Sequence, residues 1–401
     1  MGRLLLLSNG HGEDLSGALL GRALQAEGHD VEALPLVGKG QPYRDAGIGL
    51  IGGTQEFSTG GLGYTSLQGR LTELVQGQVI YLLRRLIRLL RIAKRYDLVV
   101  VIGDVIPVMA AWLSRRPVAT YLVAYSSHYE GRLRLPWPCS DCLRSPHFKA
   151  IFSRDQLSAD DLSNQLKRRV HFLGNPFMDP VLRDTRRLPP AHRRLGLLPG
   201  SRRPELEQNL LLLLQVIDRL PEAWRNNGAL QLELALVSSL QDAELSALVA
   251  PHHWHLEAGS NDKPAALRRG TCRIWIRRGN FGAVLHSSDL LLCMAGTAAE
   301  QAVGLARPVL QLAGQGPQFT EGFAEAQRRL LGPSVFCAPG EAGDPVTLEC
   351  TAQMVLDLLE RNHQDTELRS ICDREAMNRL GPAGGGSRMA ASISRLLQTS
   401  P

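Results

Sequence analysis

Residues 195–220 read LGLLPGSRRPELEQNLLLLLQVIDRL. Four residues at 195–198 form a short apolar run that stops at Pro199-Gly200, and a leucine-rich pattern of helical spacing starts at Glu205. Apolar run, glycine turn and amphipathic run make one strand–turn–helix unit. Working outward, the unit recurs. In the first half, strand candidates lie at 4–8, 31–35, 98–103, 118–124, 150–152 and 170–173, with helical patterns at 15–27, 72–96 and 105–113. Beyond 195–198, strands are expected at 230–237, 273–276, 290–293 and 309–312, and helices at 243–249, 297–305 and 323–331. Strand–helix alternation predicts parallel sheets covered on both faces. Two such series predict two doubly wound α/β domains facing a central cleft. Prolines at 176, 180, 189 and 190 mark the boundary. The expected organisation is a first domain at 1–178, a linker at 179–194, a second domain at 195–362 and a helical tail at 363–401. The tail is interrupted near Gly381-Pro382 and at 384–386. It either crosses to the other domain or to a second copy, so a homodimer stays open.

The 401 residues carry 44% hydrophobic and 21% charged side chains, ordinary for a globular chain and against disorder. Lysine and arginine total 45 against 39 acids, so the net charge is +6, and the pI is near 9.1. That balance favours anionic partners without choosing among them. No apolar run approaches the roughly 18 residues of a membrane span, and the leucines after Arg3 are too few for a leader peptide. A cytoplasmic location is expected. Seven dispersed cysteines read as free thiols, and the Cys139-x-x-Cys142 pair lacks the second pair of a zinc site. The stretch PHHWH at 251–255 matches no metal spacing and reads as a loop. Neither a metal nor a cofactor is called for.

In open parallel sheets, ligands bind at the carboxyl ends of strands. Four such ends carry chemistry. At Gly200-Ser201-Arg202, backbone N–H groups of a helix start attract an anion and the Arg202 fork matches phosphate oxygens, a diphosphate cradle. A plain helix start with solvated arginines is the alternative, although basic residues there oppose the helix dipole. Residues 288–301, SDLLLCMAGTAAEQ, repeat the strand-to-turn pattern. Gly296, Thr297 and Ala298 leave room for a ligand, and Glu300 and Gln301 suit ribose hydroxyls; a capped helix with Thr297 as its cap is the other reading. Residues 8–17, SNGHGEDLSG, set His11, Glu13 and Asp14 on a glycine turn without the dinucleotide fingerprint. Asp14 also reads as a helix cap. Residues 99–107, VVVIGDVIP, end a very apolar strand on Asp104, where burial would lift a carboxylate toward a useful general base. The same residue reads as a cap. Finally, 79–96, VIYLLRRLIRLLRIAKRY, is a basic amphipathic helix. It either lies on an anionic membrane surface or packs on a sheet with its arginines snorkelling. It lacks aromatics for stacking bases, so nucleic acid is not expected.

Taken in order, the segments 10–18, Ile102-Gly103-Asp104, FLGNPFMD at 172–179, 198–202 and 295–299 resemble lipid-A-disaccharide synthase over nearly the whole chain. The resemblance implies a GT-B fold of two Rossmann-like domains, a UDP-sugar donor on the second, and a lipid or glycolipid acceptor reached by peripheral attachment to the inner membrane face. It implies transfer with inversion, without a metal. Arg202 falls on the family's functional arginine, Asp104 on its aspartate after the strand, and Asp14 on the acid closing the first-loop motif. Asp104, with His11 and Asp14 as competitors, is the expected proton acceptor. Gly10, Gly12, Glu13 and Asn175 are expected on the acceptor side. Two positions depart from the family: its first-loop acid falls on Gly10 and its ribose-binding carboxylate on Gln301. Residues 126–142 and 47–69 also differ and are expected to shape the acceptor pocket. A UDP-sugar 2-epimerase and a non-catalytic sugar-nucleotide or lipid-binding descendant are the rival readings.

Overall fold

The computed structural model describes residues 1–52, 78–226, 228–260, 263–314 and 321–398. They form two compact units, Met1–Asp179 with Gly381–Pro401, and Pro180–Leu380. In the first, the described strands are β1 (Arg3–Ser8), β2 (Asp30–Pro35), β3 (Gly49–Leu50), β4 (Leu98–Ile102), β5 (Val118–Leu122), β6 (Phe148–Ser153) and β7 (His171–Phe172). They lie in the order β3-β2-β1-β4-β5-β6-β7, parallel throughout. The leucine run of β1 explains the burial of both faces. Leu5 and Leu7 pack with Leu89, Val108 and Leu162 on one side, while Leu4 and Leu6 pack with Leu20, Leu24 and Ile393 on the other.

The second unit holds β8 (Arg194–Leu198), β9 (Gln231–Leu234), β10 (His255–Glu257), β11 (Ala266–Arg269), β12 (Cys272–Ile276), β13 (Leu290–Cys293), β14 (Val309–Gln311) and β15 (Val335–Cys337). Their order is β10-β11-β12-β9-β8-β13-β14-β15. The β10–β11 and β11–β12 pairs are antiparallel and the others parallel. Both sheets are therefore doubly wound, as the strand–helix alternation predicts. The strand order reverses between β1 and β4 in the first sheet, and between β8 and β13 among the central parallel strands of the second, whose edge β10-β11-β12 is a meander. Neighbouring helices leave in opposite directions there and open a crevice beyond the strand tips.

Three features differ from the sequence reading. The stretch 251–255, expected as a loop, is a short 3-10 turn at Ala250–His252 that leads into an edge strand at His255, with Trp254 between them fully buried. Thr297 does not cap its helix, which starts at Gly296 with Ala295 in the cap position and no side-chain bond. Gly10, not Asp14, is the cap of the first helix, His11–Ala26. The tail is divided between the units. Its helices Pro345–Gln364 and Thr366–Glu375 belong with the second, and Gly385–Gln398 belongs with the first. That last helix is anchored by Asp179, whose carboxylate accepts from the N–H groups of Gly384 (2.6 Å), Gly385 (3.1 Å) and Gly386 (3.0 Å). Three donors with no partner inside the helix are satisfied, and the negative charge sits at the favourable end of the dipole. Residues 53–69 of the divergent stretch and the expected helical residues 72–77 lie outside the described residues.

Candidate functional site

At the first reversal point, β1 and β4 deliver two turns side by side. Asp104 caps the helix Val105–Leu113, its Oδ1 accepting from Ile106 N at 2.9 Å. Its Oδ2 accepts from Asn9 Nδ2 at 3.0 Å, so both oxygens are aimed by bonds to the two turns. Asp104 is buried, and burial lifts its carboxyl above the usual aspartate range. Half-buried Glu13 accepts from Asn9 N at 2.6 Å and lies over Gly103. Any Cβ at Gly103 would overlap that carboxylate, and the Gly103 φ of 142° is one that L side chains rarely adopt. Burial first, then the charges of Asp104 and Asp14, hold the Glu13 carboxyl well above its ordinary range. Two adjoining carboxyls displaced upward suit a group that must both hold and take protons.

Asp14 is fully buried beneath the turn. It accepts from Ser8 Oγ at 2.6 Å, and Ser8 in turn accepts from the hydroxyl of fully buried Tyr43 at 2.9 Å. This chain orients the turn from behind. Gly12 stands exposed on the first turn of the helix. The His11 side chain lies outside the described residues. Asn175 is also fully buried, donating to Arg154 O at 2.9 Å and accepting from Tyr121 OH. It braces the ends of β5 and β6.

At the second reversal point, β8 runs into Pro199-Gly200 and the helix Glu205–Arg219, and β13 runs into Ala295 and the helix Gly296–Gly304. Met294 N donates back to Leu198 O at 2.8 Å. Gly200, with φ 102°, packs against the second turn: a Cβ there would stand 3.3 Å from Met294 O. Neither helix start carries a side-chain cap; Leu206 N donates to Arg202 O at 2.7 Å, while other first-turn N–H groups, such as those of Glu205 and Thr297, face no side-chain cap. The adjoining arginines differ. Arg203 is held by Glu207 and, at 3.0 Å, by Glu244. Arg202 and Ser201 are exposed, and among the described residues the Arg202 guanidinium has no partner. Thr297 is exposed and Ala298, Glu300 and Gln301 half-buried along the second helix. A guanidinium with no partner among the described residues, on the turn leading into an uncapped helix start, suits a phosphate or diphosphate.

Two asparagines at these points are not among the expected site residues. Asn9 bridges the first pair of turns, and Asn209 donates to Pro199 O at 2.9 Å and Met294 O at 3.4 Å across the second. For Asn209 a signal exists: a polar residue on the buried stripe of a helix that is otherwise leucine, valine and isoleucine there.

The basic helix spans Gln78–Ile92. Its inner side buries Leu89, and Arg85 is buried with it, donating to Pro35 O and to Ile51 O at 3.1 Å. Arg85 is thus a structural arginine and not a snorkelling one. On the outer side Ile80, Leu83, Ile87 and Leu90 are exposed, spaced as one stripe and bordered by exposed Arg84, Arg88 and Arg91. No helix among the described residues is long and apolar enough to cross a membrane. No group of described residues has the makings of a metal site.

No protein-family model matches the chain, and no curated protein matches its sequence. Solved structures do. The calicheamicin glycosyltransferase CalG4 is similar at 18% identity, covering 100% of each chain with a TM-score of 0.61. The spinosyn rhamnosyltransferase SpnG complexed with thymidine diphosphate is similar at 17% identity over 99% of this chain and 100% of that one, with a TM-score of 0.55. A protein from Listeria monocytogenes designated a UDP-N-acetylglucosamine 2-epimerase is similar at 16% identity over 100% and 97%, with a TM-score of 0.54. At such identity the likeness is one of fold: two Rossmann-like domains, as in the GT-B glycosyltransferases and the related epimerases.

Proposed function

We propose that this chain is a UDP-sugar-dependent hexosyltransferase. It moves a sugar, an N-acetylglucosamine derivative, onto a lipid-linked acceptor at the inner face of a membrane, in the manner of lipid-A-disaccharide synthase. The observation that carries the donor half is Arg202, exposed and without a partner among the described residues, at the turn of the second reversal point, where both helix starts lack a side-chain cap. Transfer leaves a nucleoside diphosphate, and the charge growing on it is stabilised by the Gly200–Arg202 turn and the 296–298 helix start. In the first unit Asp104 takes the proton of the acceptor hydroxyl, with its carboxyl lifted by burial toward working pH. Glu13 beside it has its carboxyl held above the ordinary range chiefly by burial, and Asp14 holds the turn. The exposed apolar stripe of Gln78–Ile92, edged with arginines, supports contact with an anionic lipid surface.

A UDP-sugar 2-epimerase is the second reading, favoured by the likeness to the Listeria protein and by two adjoining carboxyls of raised pKa, which also suit proton removal and return at a sugar carbon. Incubation with UDP-sugars, with and without membrane lipid extract, separates the readings. UDP release that depends on lipid is the outcome expected here. Lipid-independent conversion of the sugar establishes the epimerase, and binding without turnover removes both.

A further inference from the structure

We infer that Asn209 is a positioning residue that locks the two turns of the second reversal point at a fixed spacing; what that spacing serves, the grip on a diphosphate, rests on the reading above. The buried face of Glu205–Arg219 carries Leu206, Leu210, Leu213, Val216 and Ile217, and among the described residues Asn209 is the one polar side chain on it. Leucine would do better there on helix propensity and on apolar burial alike. The asparagine is 1% exposed, so its amide is withdrawn from water and needs partners inside the protein.

Those partners are the two turns. Nδ2 donates to Pro199 O at 2.9 Å and to Met294 O at 3.4 Å. Turning the amide over would set its oxygen against two carbonyls, so the orientation is forced. Oδ1 has no partner among the described residues, and the position bears that cost. The ladder between β8 and β13 ends at Leu198 and Cys293, with Met294 N reaching back to Leu198 O. Past that point the chains part toward separate helices, one carrying Ser201 and Arg202 and the other Gly296, Thr297 and Ala298. Asn209 extends the tie one residue beyond the sheet, where an anion bridging both turns needs it. Turns spaced before the ligand arrives lose less freedom on binding.

The test compares Asn209→Leu with Val216→Ala, a cavity in the same helix away from the turns. Amide hydrogen exchange is followed in the free protein at 199–203 and 294–298, and UDP affinity is measured by calorimetry. Asn209→Leu should speed exchange on both turns and weaken UDP about tenfold while the melting temperature holds or rises. Val216→Ala should lower the melting temperature and leave exchange and affinity as they are. Wild-type exchange in Asn209→Leu overturns the tie, as does a Val216→Ala variant that behaves the same way. A wild-type protein that binds no UDP, with turns still loosened by Asn209→Leu, supports the tie and removes the reading of what it serves.

Discussion

At the β1–β4 tips stand Asn9, Glu13, Asp14 and Asp104; at the β8–β13 tips stand Arg202, Asn209 and the small residues Gly200, Gly296 and Ala298. The topology of the two points is the same, and an asparagine ties the turns in each. The electrostatics are opposite. In the first unit desolvated carboxyls hold their protons above the ordinary range, while in the second the exposed Arg202 guanidinium has no partner among the described residues and its neighbour Arg203 is already paired. One doubly wound plan thus holds two different electrostatic settings by the choice of a few residues at the strand tips. On the function proposed above, the diphosphate belongs at the second point. A hydroxyl that must lose a proton suits the first.

The sharpest way to break this division is Asp104→Asn. Turnover should fall by about a hundredfold to ten-thousandfold, the range for a lost general base, while UDP affinity stays unchanged. Equal turnover would strip the first point of its proposed chemistry. Next is the arginine pair. Arg202→Ala should weaken UDP about thirtyfold, as loss of a charge-assisted bond to phosphate does, and Arg203→Ala by no more than about twofold. Calorimetry reads both, and equal effects would mean that the free and the paired arginine are not distinguished by function. Gly103→Ala should cost about 1–3 kcal/mol of stability in chemical denaturation, from backbone strain and the displaced Glu13, and leave UDP binding alone. The smallest effect concerns pH. As pH rises past 4.5, the ordinary glutamate value, the unfolded chain releases the Glu13 proton and the folded chain keeps it, so the folded state loses stability. Glu13→Gln has no such loss. It should gain over the wild type as pH climbs above 4.5 and converge with it below, in thermal unfolding across that range. A gap that does not change with pH would mean that Glu13 is not desolvated as described.

How much of this the sequence foretells depends on burial. The strands around each reversal point, β1, β4, β8 and β13, are apolar on both faces, so their leucine and valine runs announce them directly. The edges are less legible. β11 carries Arg268 and Arg269 on a hairpin rim, β3 is two residues long, and the histidines around Trp254 mask a core side chain. At the sites, the glycine turns and acids are visible as motifs because backbone shape demands glycine there. The pairing of Arg203 is only partly visible: Glu207, four residues on, is a local signal, but Glu244 is distant in sequence. Asn9 and Asn209 escape because their partners lie across a reversal point, 95 and 85 residues away in the chain.

The most direct measurement is calorimetric titration of the intact protein with UDP and, separately, with uridine. If the second reversal point grips a diphosphate, UDP binds and uridine is weaker by about a hundredfold or more, since the nucleoside offers Arg202 and the helix starts no charge. Equal affinity for the two, or no heat from either, would contradict the account.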